Sequence, residues 1–271
     1  MRRPWVLVVL IAAVAAITAV ALVAASALGG PTIPPRLVVD GELGEVQVYD
    51  VGPGASLTPS PDPASLTAEV WTTFVRIATA ELASEMIAEF HVADAVDVDV
   101  AAWVELDEES RRWTLAANLA FSEVRRDLVS TLVHEVAHLL TLRAGEMSSA
   151  PGACPTLELE EGCLADDAAL RLFQQRFWAG YGESAPAADN DDRELGRTFF
   201  DEHEEDFVSD YASMNVVEDI AESFMTFVLE DRPRGDSVAA QKLEFFWQQP
   251  GFVPMRDRIR AEFSHELGLA G

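Results

Sequence analysis

Thr131-Leu132-Val133-His134-Glu135-Val136-Ala137-His138-Leu139-Leu140-Thr141 is the stretch on which the reading of this chain turns. Two imidazoles stand four residues apart with a carboxylate between them. On an α-helix, residues i and i+4 share a face, so both rings can converge on one cation while Glu135 sits at its edge. The spacing is that of a zinc site with a general base beside it. Around it Leu128, Val129, Leu132, Val133, Val136, Ala137, Leu139 and Leu140 recur at helical spacing and form an apolar stripe for a core. Asp127, Thr131, His134, His138 and Thr141 fall on a more polar stripe, where a cavity can open. The pattern predicts a helix within residues 122–144, with Ser122 as N-cap and Gly145 as the residue that ends it. The plainer reading is a hydrogen-bonded pair of core histidines. Four ring nitrogens on a buried helix need partners, however, and a metal is the simplest common one.

A catalytic zinc takes three protein ligands and leaves one position open, so a third ligand must come from elsewhere. The best candidate lies in Tyr211-Ala-Ser-Met-Asn215-Val-Val-Glu218-Asp219-Ile-Ala-Glu222-Ser-Phe224. Glu218 and Glu222 share a helix face, while Ile220, Ala221, Phe224, Phe227 and Val228 supply an apolar side. One carboxylate can bind the metal and the other can hold the free N–H of a ligand histidine, fixing its tautomer. Asp219, Glu222 and His203 stay open as substitutes for Glu218. A solvated acidic face is the bland alternative in so acidic a chain.

The segments Thr131–Leu142, Asp206–Ala212 and Asn215–Phe224 resemble those of a secreted bacterial family of zinc metallopeptidases of the gluzincin type. They are similar in particular to the anthrax lethal factor-like branch, in which a Tyr precedes the ligand Glu by seven residues, as Tyr211 precedes Glu218. The resemblance is specific in these segments and loose between them. It implies a zincin-like fold and one Zn2+ held by His134, His138 and Glu218. It further implies Glu135 as general base, Tyr211 as hydrogen-bond donor to the transition state, and Glu222, with Asp219 beside it, behind a ligand His. Ala137 departs from the family's usual Gly, and eighty residues separate His138 from Glu218, so a substantial insertion must return the chain to the site.

Arg2 and Arg3 precede an uncharged apolar stretch from Trp5 to Leu28. It is longer than a signal-peptide core of roughly 7–15 residues and close to the roughly 20 that span a bilayer. Residues 1–28 therefore read as a signal anchor or, cut near Ala25-Ser26-Ala27, as a signal peptide. Positive charge ahead of the stretch puts the N-terminus inside. Both readings export the rest, as a single-pass membrane protein with an extracytoplasmic catalytic domain or as a secreted one. Export makes Cys154 and Cys163, the chain's two cysteines, an expected disulfide.

Residues 29–64, rich in Pro and Gly, read as a tether with a possible strand at 37–49, and residues 65–271 as the metallopeptidase domain. Within that domain, 64–90 reads as a long amphipathic helix, 103–115 as a hairpin, and 238–247 and 252–267 as closing helices. The fold class is α+β, mostly helical, with a small β-sheet beside the zinc helix. A net charge of −27 argues against nucleic acid as a partner, because phosphate contacts need clustered Lys and Arg. The expected partners are a peptide or protein substrate and, through the N-terminal helix, a membrane. Two function classes follow: a zinc-dependent peptidase, or its variant acting on non-peptide amides, and a zinc-stabilised binding protein without turnover. Glu135 and Tyr211 favour the enzyme, since a purely structural site has no use for a base and an oxyanion donor.

Overall fold

Alternation of side chains builds the sheet. In β2 (Gly44–Gly52), Val46 and Val48 are buried on one face while Tyr49 and Val51 enter the larger core on the other. β1 (Arg36–Asp40) folds back on β2 through a turn held by Asp40, whose Oδ1 accepts hydrogen bonds from the amides of Glu42 at 2.8 Å and Leu43 at 2.7 Å. β3 (Ser56–Thr58) returns along β2. With β4 (Ile87–Ala93), β5 (Ala102–Leu106) and β6 (Trp113–Asn118), the sheet runs β1-β2-β4-β6-β5. Its pairs are antiparallel except β4 with β6, and β5 is an edge strand. The computed structural model describes residues 34–107, 109–150 and 152–269. The stretch Trp5–Leu28, expected to serve as anchor or signal, lies outside them. Among the described residues no helix is long and apolar enough to cross a membrane.

Two expectations change. The predicted tether of residues 29–64 supplies, from Arg36 onward, β1, β2 and β3 of the main sheet, within a compact unit spanning Arg36–Gly271. Val46, Val48, Tyr49 and Val51 bury too much apolar surface for a solvated linker. The long helix predicted over 64–90 is α1 (Leu66–Ala78) and α2 (Ala80–Met86), separated by Thr79 at φ 87° and followed directly by β4. Met86, Ile87 and Phe90 fit a helical spacing in sequence, yet from Ile87 the chain runs extended. Phe90 and Val92 then pack into the larger core.

The second face of the sheet is covered by residues 94–101, whose Ala95, Val98 and Val100 pack on Val46, Val48, Ala93 and Ala116. A buried Asn118 ties this loop down. Its Oδ1 accepts from Ala95 N at 2.9 Å, and its Nδ2 donates to Ala95 O at 2.9 Å and Val100 O at 3.1 Å. The first face packs on helices.

α3 (Arg125–Thr141) lies against α1, β5 and α6 (Val216–Leu229). It starts later than predicted: Val124 is its N-cap residue, and Ser122 donates instead to Asn118 O at 3.3 Å. It ends at Thr141, with Leu142 as its C-cap residue, short of Gly145, which lies in a 3-10 turn. α7 (Val238–Gln248) and α8 (Phe252–Glu262) back α6 through Phe224, Phe227, Phe246 and Phe252, with neighbouring ring centroids 5.3–6.1 Å apart.

The chain between α3 and α6 is the predicted insertion. It contains the short hairpin β7 (Glu158–Leu159) and β8 (Gly162–Cys163), closed by the Cys154–Cys163 disulfide with Cα atoms 5.4 Å apart. Next come α4 (Ala169–Phe173), which continues as a π-helical stretch to Trp178, and α5 (Arg193–His203). The protein is thus a mixed α/β fold in which α3 sits between a sheet edge and α6.

Candidate metal centre

Burial orients α3. Leu132, Val133, Val136 and Leu139 are fully buried, which turns His134 and His138, each 8% exposed, towards α6. α6 is set by its own start: Asn215 Oδ1 accepts from the amides of Val217 and Glu218, both at 2.9 Å. The Asn215 side chain also donates to Asn190 O at 3.0 Å, and Asn190 Nδ2 donates to Met214 O at 2.9 Å. Neither asparagine is singled out by sequence, although Asn three residues before Glu218 is a capping signal.

His134 Nε2, His138 Nε2 and Glu218 Oε2 come together. The two nitrogens are 3.0 Å apart, and Glu218 Oε2 is 3.1 Å from the first and 3.5 Å from the second. Ligands at about 2.0–2.1 Å from a tetrahedral zinc stand about 3.3 Å from one another, so the spacing fits three corners of such a site. The donor set fits as well. His134 Nδ1 donates to Glu222 Oε1 at 2.8 Å, which leaves the Nε2 lone pair facing the other two donors. Ser209 Oγ donates to Glu222 Oε2 at 2.5 Å and fixes that carboxylate in turn. Ser209 lies within the segment Asp206–Ala212, and no local pattern there marks this role. These three groups could hold a metal ion.

The electrostatics agree with a site for positive charge. Burial opposes a charged His134, yet its contacts with Glu218 and Glu222 raise its pKa well above the ordinary imidazole value. Burial likewise opposes ionised Glu218, and the two histidines nevertheless hold it below the usual carboxylate range. Glu135, 5% exposed, has its pKa raised by burial against the opposing pull of His134 and His138.

Two of the alternative ligands stand elsewhere. Asp219, expected beside Glu222 behind the ligands, is fully buried on another side of α6. There it accepts from Trp178 Nε1 at 2.7 Å and Ser223 Oγ at 3.3 Å, and its Oδ2 lies 2.7 Å from Lys242 Nζ. A helix turns about 100° per residue, so adjacent Glu218 and Asp219 cannot serve one side. His203, at the end of α5, packs against Phe199 and Tyr181 with ring centroids 4.7 and 4.8 Å away. Glu222 is the carboxylate behind His134.

Tyr211 stands over the centre. Its ring centroid is 5.9 Å from that of His134, it is 44% exposed, and burial, Glu218 and Glu135 raise its pKa while Arg193 opposes them. The turn Tyr211–Ser213 is anchored by Ser213 Oγ, which donates to Gly196 O in α5 at 3.0 Å. A Cβ at Gly196 would fall inside the envelope of Met214 Sδ and 3.1 Å from Met214 Cα. Gly196→Ala is therefore expected to push the 211–214 turn and the start of α6. A loss of about tenfold in metal affinity, with helix content unchanged by circular dichroism, would register it. Unchanged affinity would show that the turn yields without moving Glu218.

The centre opens on a cleft of about 950 Å³ between β5 and α3, with a further hollow of about 390 Å³ on the other side of Tyr211. Besides the residues of the centre, the first is lined by Asp40, Glu42, Asp99, Glu105 and Asp127, and the second adds Glu160, Glu161, Asp189 and Asp191. Among the described residues none of these has a cationic partner within ion-pair distance. No family model, no curated protein and no solved structure matches the chain.

Proposed function

We propose that this protein is an extracytoplasmic zinc metallopeptidase of the gluzincin type, with a zincin-like fold, that hydrolyses peptide bonds. The observation that carries the reading is the convergence of His134 Nε2, His138 Nε2 and Glu218 Oε2 within 3.5 Å of one another, with His134 and buried Glu135 lining an open cleft. His134, His138 and Glu218 would hold the zinc ion, which would supply Lewis acidity for acidifying a water and polarising a carbonyl.

The remaining work falls to the chain. Glu135 takes a proton from the attacking water and passes it to the leaving amine, a task suited to a carboxylate whose pKa burial has moved towards neutrality. Glu222, held by Ser209, keeps His134 in the tautomer whose Nε2 can ligate. Tyr211, whose raised pKa keeps its hydroxyl protonated, donates to the oxyanion as it develops. Tyr211→Phe is expected to cut kcat by about a hundredfold with zinc content intact, since deleting one oxyanion donor costs roughly that much. A variant of unchanged kcat would remove Tyr211 from the mechanism.

Edge strand β5 contributes Ala102, Trp103 and Glu105 to the wall of the cleft. An extended peptide can pair with such an edge as one more strand. The unpaired acidic residues on both sides favour peptides with cationic flanks, because like charges converging in a cleft focus its field.

The test has two parts. Elemental mass spectrometry of the purified chain should give one zinc per chain, lost in His134→Ala, and the zinc-loaded chain should cleave a mixed-peptide library. Zinc absent under metal-replete conditions would overturn the reading. So would zinc binding without cleavage of any peptide.

A further inference from the structure

The walls of the two hollows carry one arginine, Arg193, amid their carboxylates. It lines both hollows, as do Tyr211 and Glu42, so it stands where they adjoin. Despite the surrounding acid it forms no ion pair among the described residues. Its position is coupled to that of Tyr211. Arg193 opens α5, and three residues on, Gly196 lets α5 meet Met214 and accepts the hydrogen bond that anchors the Tyr211 turn. The helix terminus itself is not the feature of interest, because Asp192 Oδ1 already caps it, accepting from the amides of Glu194 at 2.9 Å and Leu195 at 3.2 Å.

We propose that Arg193 is a specificity-determining residue that binds a carboxylate of the substrate next to the scissile bond. This rests on the peptidase reading above. A guanidinium offers a planar fork of N–H donors that matches a carboxylate in two parallel hydrogen bonds. Away from Arg193 and the metal centre, the charged side chains that line the two hollows are carboxylates, so an anionic group of the substrate is repelled along most of the path and accepted at Arg193. The preferred substrate is then a peptide with cationic flanks and one carboxylate at Arg193, where the two hollows adjoin. That carboxylate belongs either to an internal Asp or Glu side chain or to the peptide's own C-terminus.

The experiment uses the full chain, zinc-loaded, with Glu135→Ala in the background so that binding is read without turnover. Fluorescent decapeptides of one Lys/Ala framework carry an internal Glu with an amidated end, a free C-terminal carboxylate with no Glu, or neither. Affinity is measured by anisotropy for the parent, for Arg193→Ala and for Arg193→Glu. A carboxylate held by two charge-assisted bonds predicts a loss of about tenfold to a hundredfold in Arg193→Ala for one carboxylate peptide, and less than about twofold for the peptide with neither. Arg193→Glu should invert the preference, favouring a Lys in place of that Glu or C-terminal carboxylate. Which carboxylate peptide responds identifies the source. Equal effects on all three peptides, or no effect on any, would overturn the proposal. In parallel, library cleavage by the chain with Glu135 intact separates the two failures: cleavage that persists while the anisotropy profiles coincide sinks only the role of Arg193. Loss of cleavage altogether sinks the peptidase reading beneath it.

Discussion

Glu135→Ala is expected to abolish peptide hydrolysis while leaving one zinc per chain, whereas Glu218→Ala is expected to lose both. The contrast follows from where the two carboxylates stand. Glu218 Oε2 is 3.1 and 3.5 Å from the histidine nitrogens and completes the donor triangle. Without it two imidazoles on one helix remain, short of the three protein ligands a catalytic zinc requires. Glu135 lies outside the triangle, and its removal takes away proton transfer alone, worth between about 10² and 10⁴ in rate. Glu218→Gln refines the comparison, because it keeps the shape and one oxygen donor but not the charge. Zinc content by elemental analysis and initial rates on one fluorogenic peptide decide the matter. Zinc retained at full stoichiometry in Glu218→Ala would remove Glu218 from the ligand set.

Lys242→Met is expected to destabilise the fold by about 3–5 kcal/mol, the cost of leaving one buried charge without its partner. Lys242 and Asp219 are both fully buried, with Nζ 2.7 Å from Oδ2 and 3.7 Å over the Phe207 ring. The ammonium has no well-directed hydrogen bond, so the pair rests on Coulomb attraction and the ring face. Burial already pushes Asp219 up to about 6 against the pull of Lys242, and taking the lysine away pushes it further. A carboxyl whose folded pKa lies above its unfolded value takes up protons on folding, so stability falls as pH rises between the two values. The deficit of Lys242→Met in urea denaturation should therefore be smaller at pH 5 than at pH 8. The double variant Asp219→Asn/Lys242→Met should recover most of the loss, since Asn still accepts from Trp178. A double variant as unstable as the single would assign the effect to lost packing around the lysine stem.

The helix of His134 and the helix of Glu218 are legible in the sequence because each repeats apolar residues at a helical period over three turns or more. So is the β5–β6 hairpin, whose two strands flank an acidic turn, and so is the Cys154–Cys163 pair. The convergence of His134, His138 and Glu218 is legible only as a spacing requirement. The path between them depends on Asn215, whose capping signal is local, and on Trp178 and Asn190, which act through tertiary contacts that no local pattern encodes. The break at Thr79 escapes for a different reason: Ala64–Phe90 satisfies a helical period throughout, and the sheet wins Ile87 onward because β2 and β6 offer hydrogen bonds on both sides. Asp219 misleads because an acidic residue beside a ligand reads as part of the site, while one residue of helical rotation carries it to Lys242.

The three donors of the centre belong to two helices, α3 and α6, whereas Tyr211, Arg193 and Glu160–Glu161 belong to the chain that joins them. That division separates what lineages can change cheaply from what they cannot. Parts of the connecting chain are exposed, such as Glu160, Asp189 and Asp191, and there exchanges are tolerated, while Leu170, Phe173, Trp178 and Phe199 anchor it in the core. The helix pair is bound to a packed interior in which a one-methylene change is felt. On the proposed reading, changes in the hairpin and loops that carry Glu160 and Glu161 should alter the lining of the cleft while leaving the three donors in place, whereas changes at Tyr211 or Ser209 should reach the centre itself.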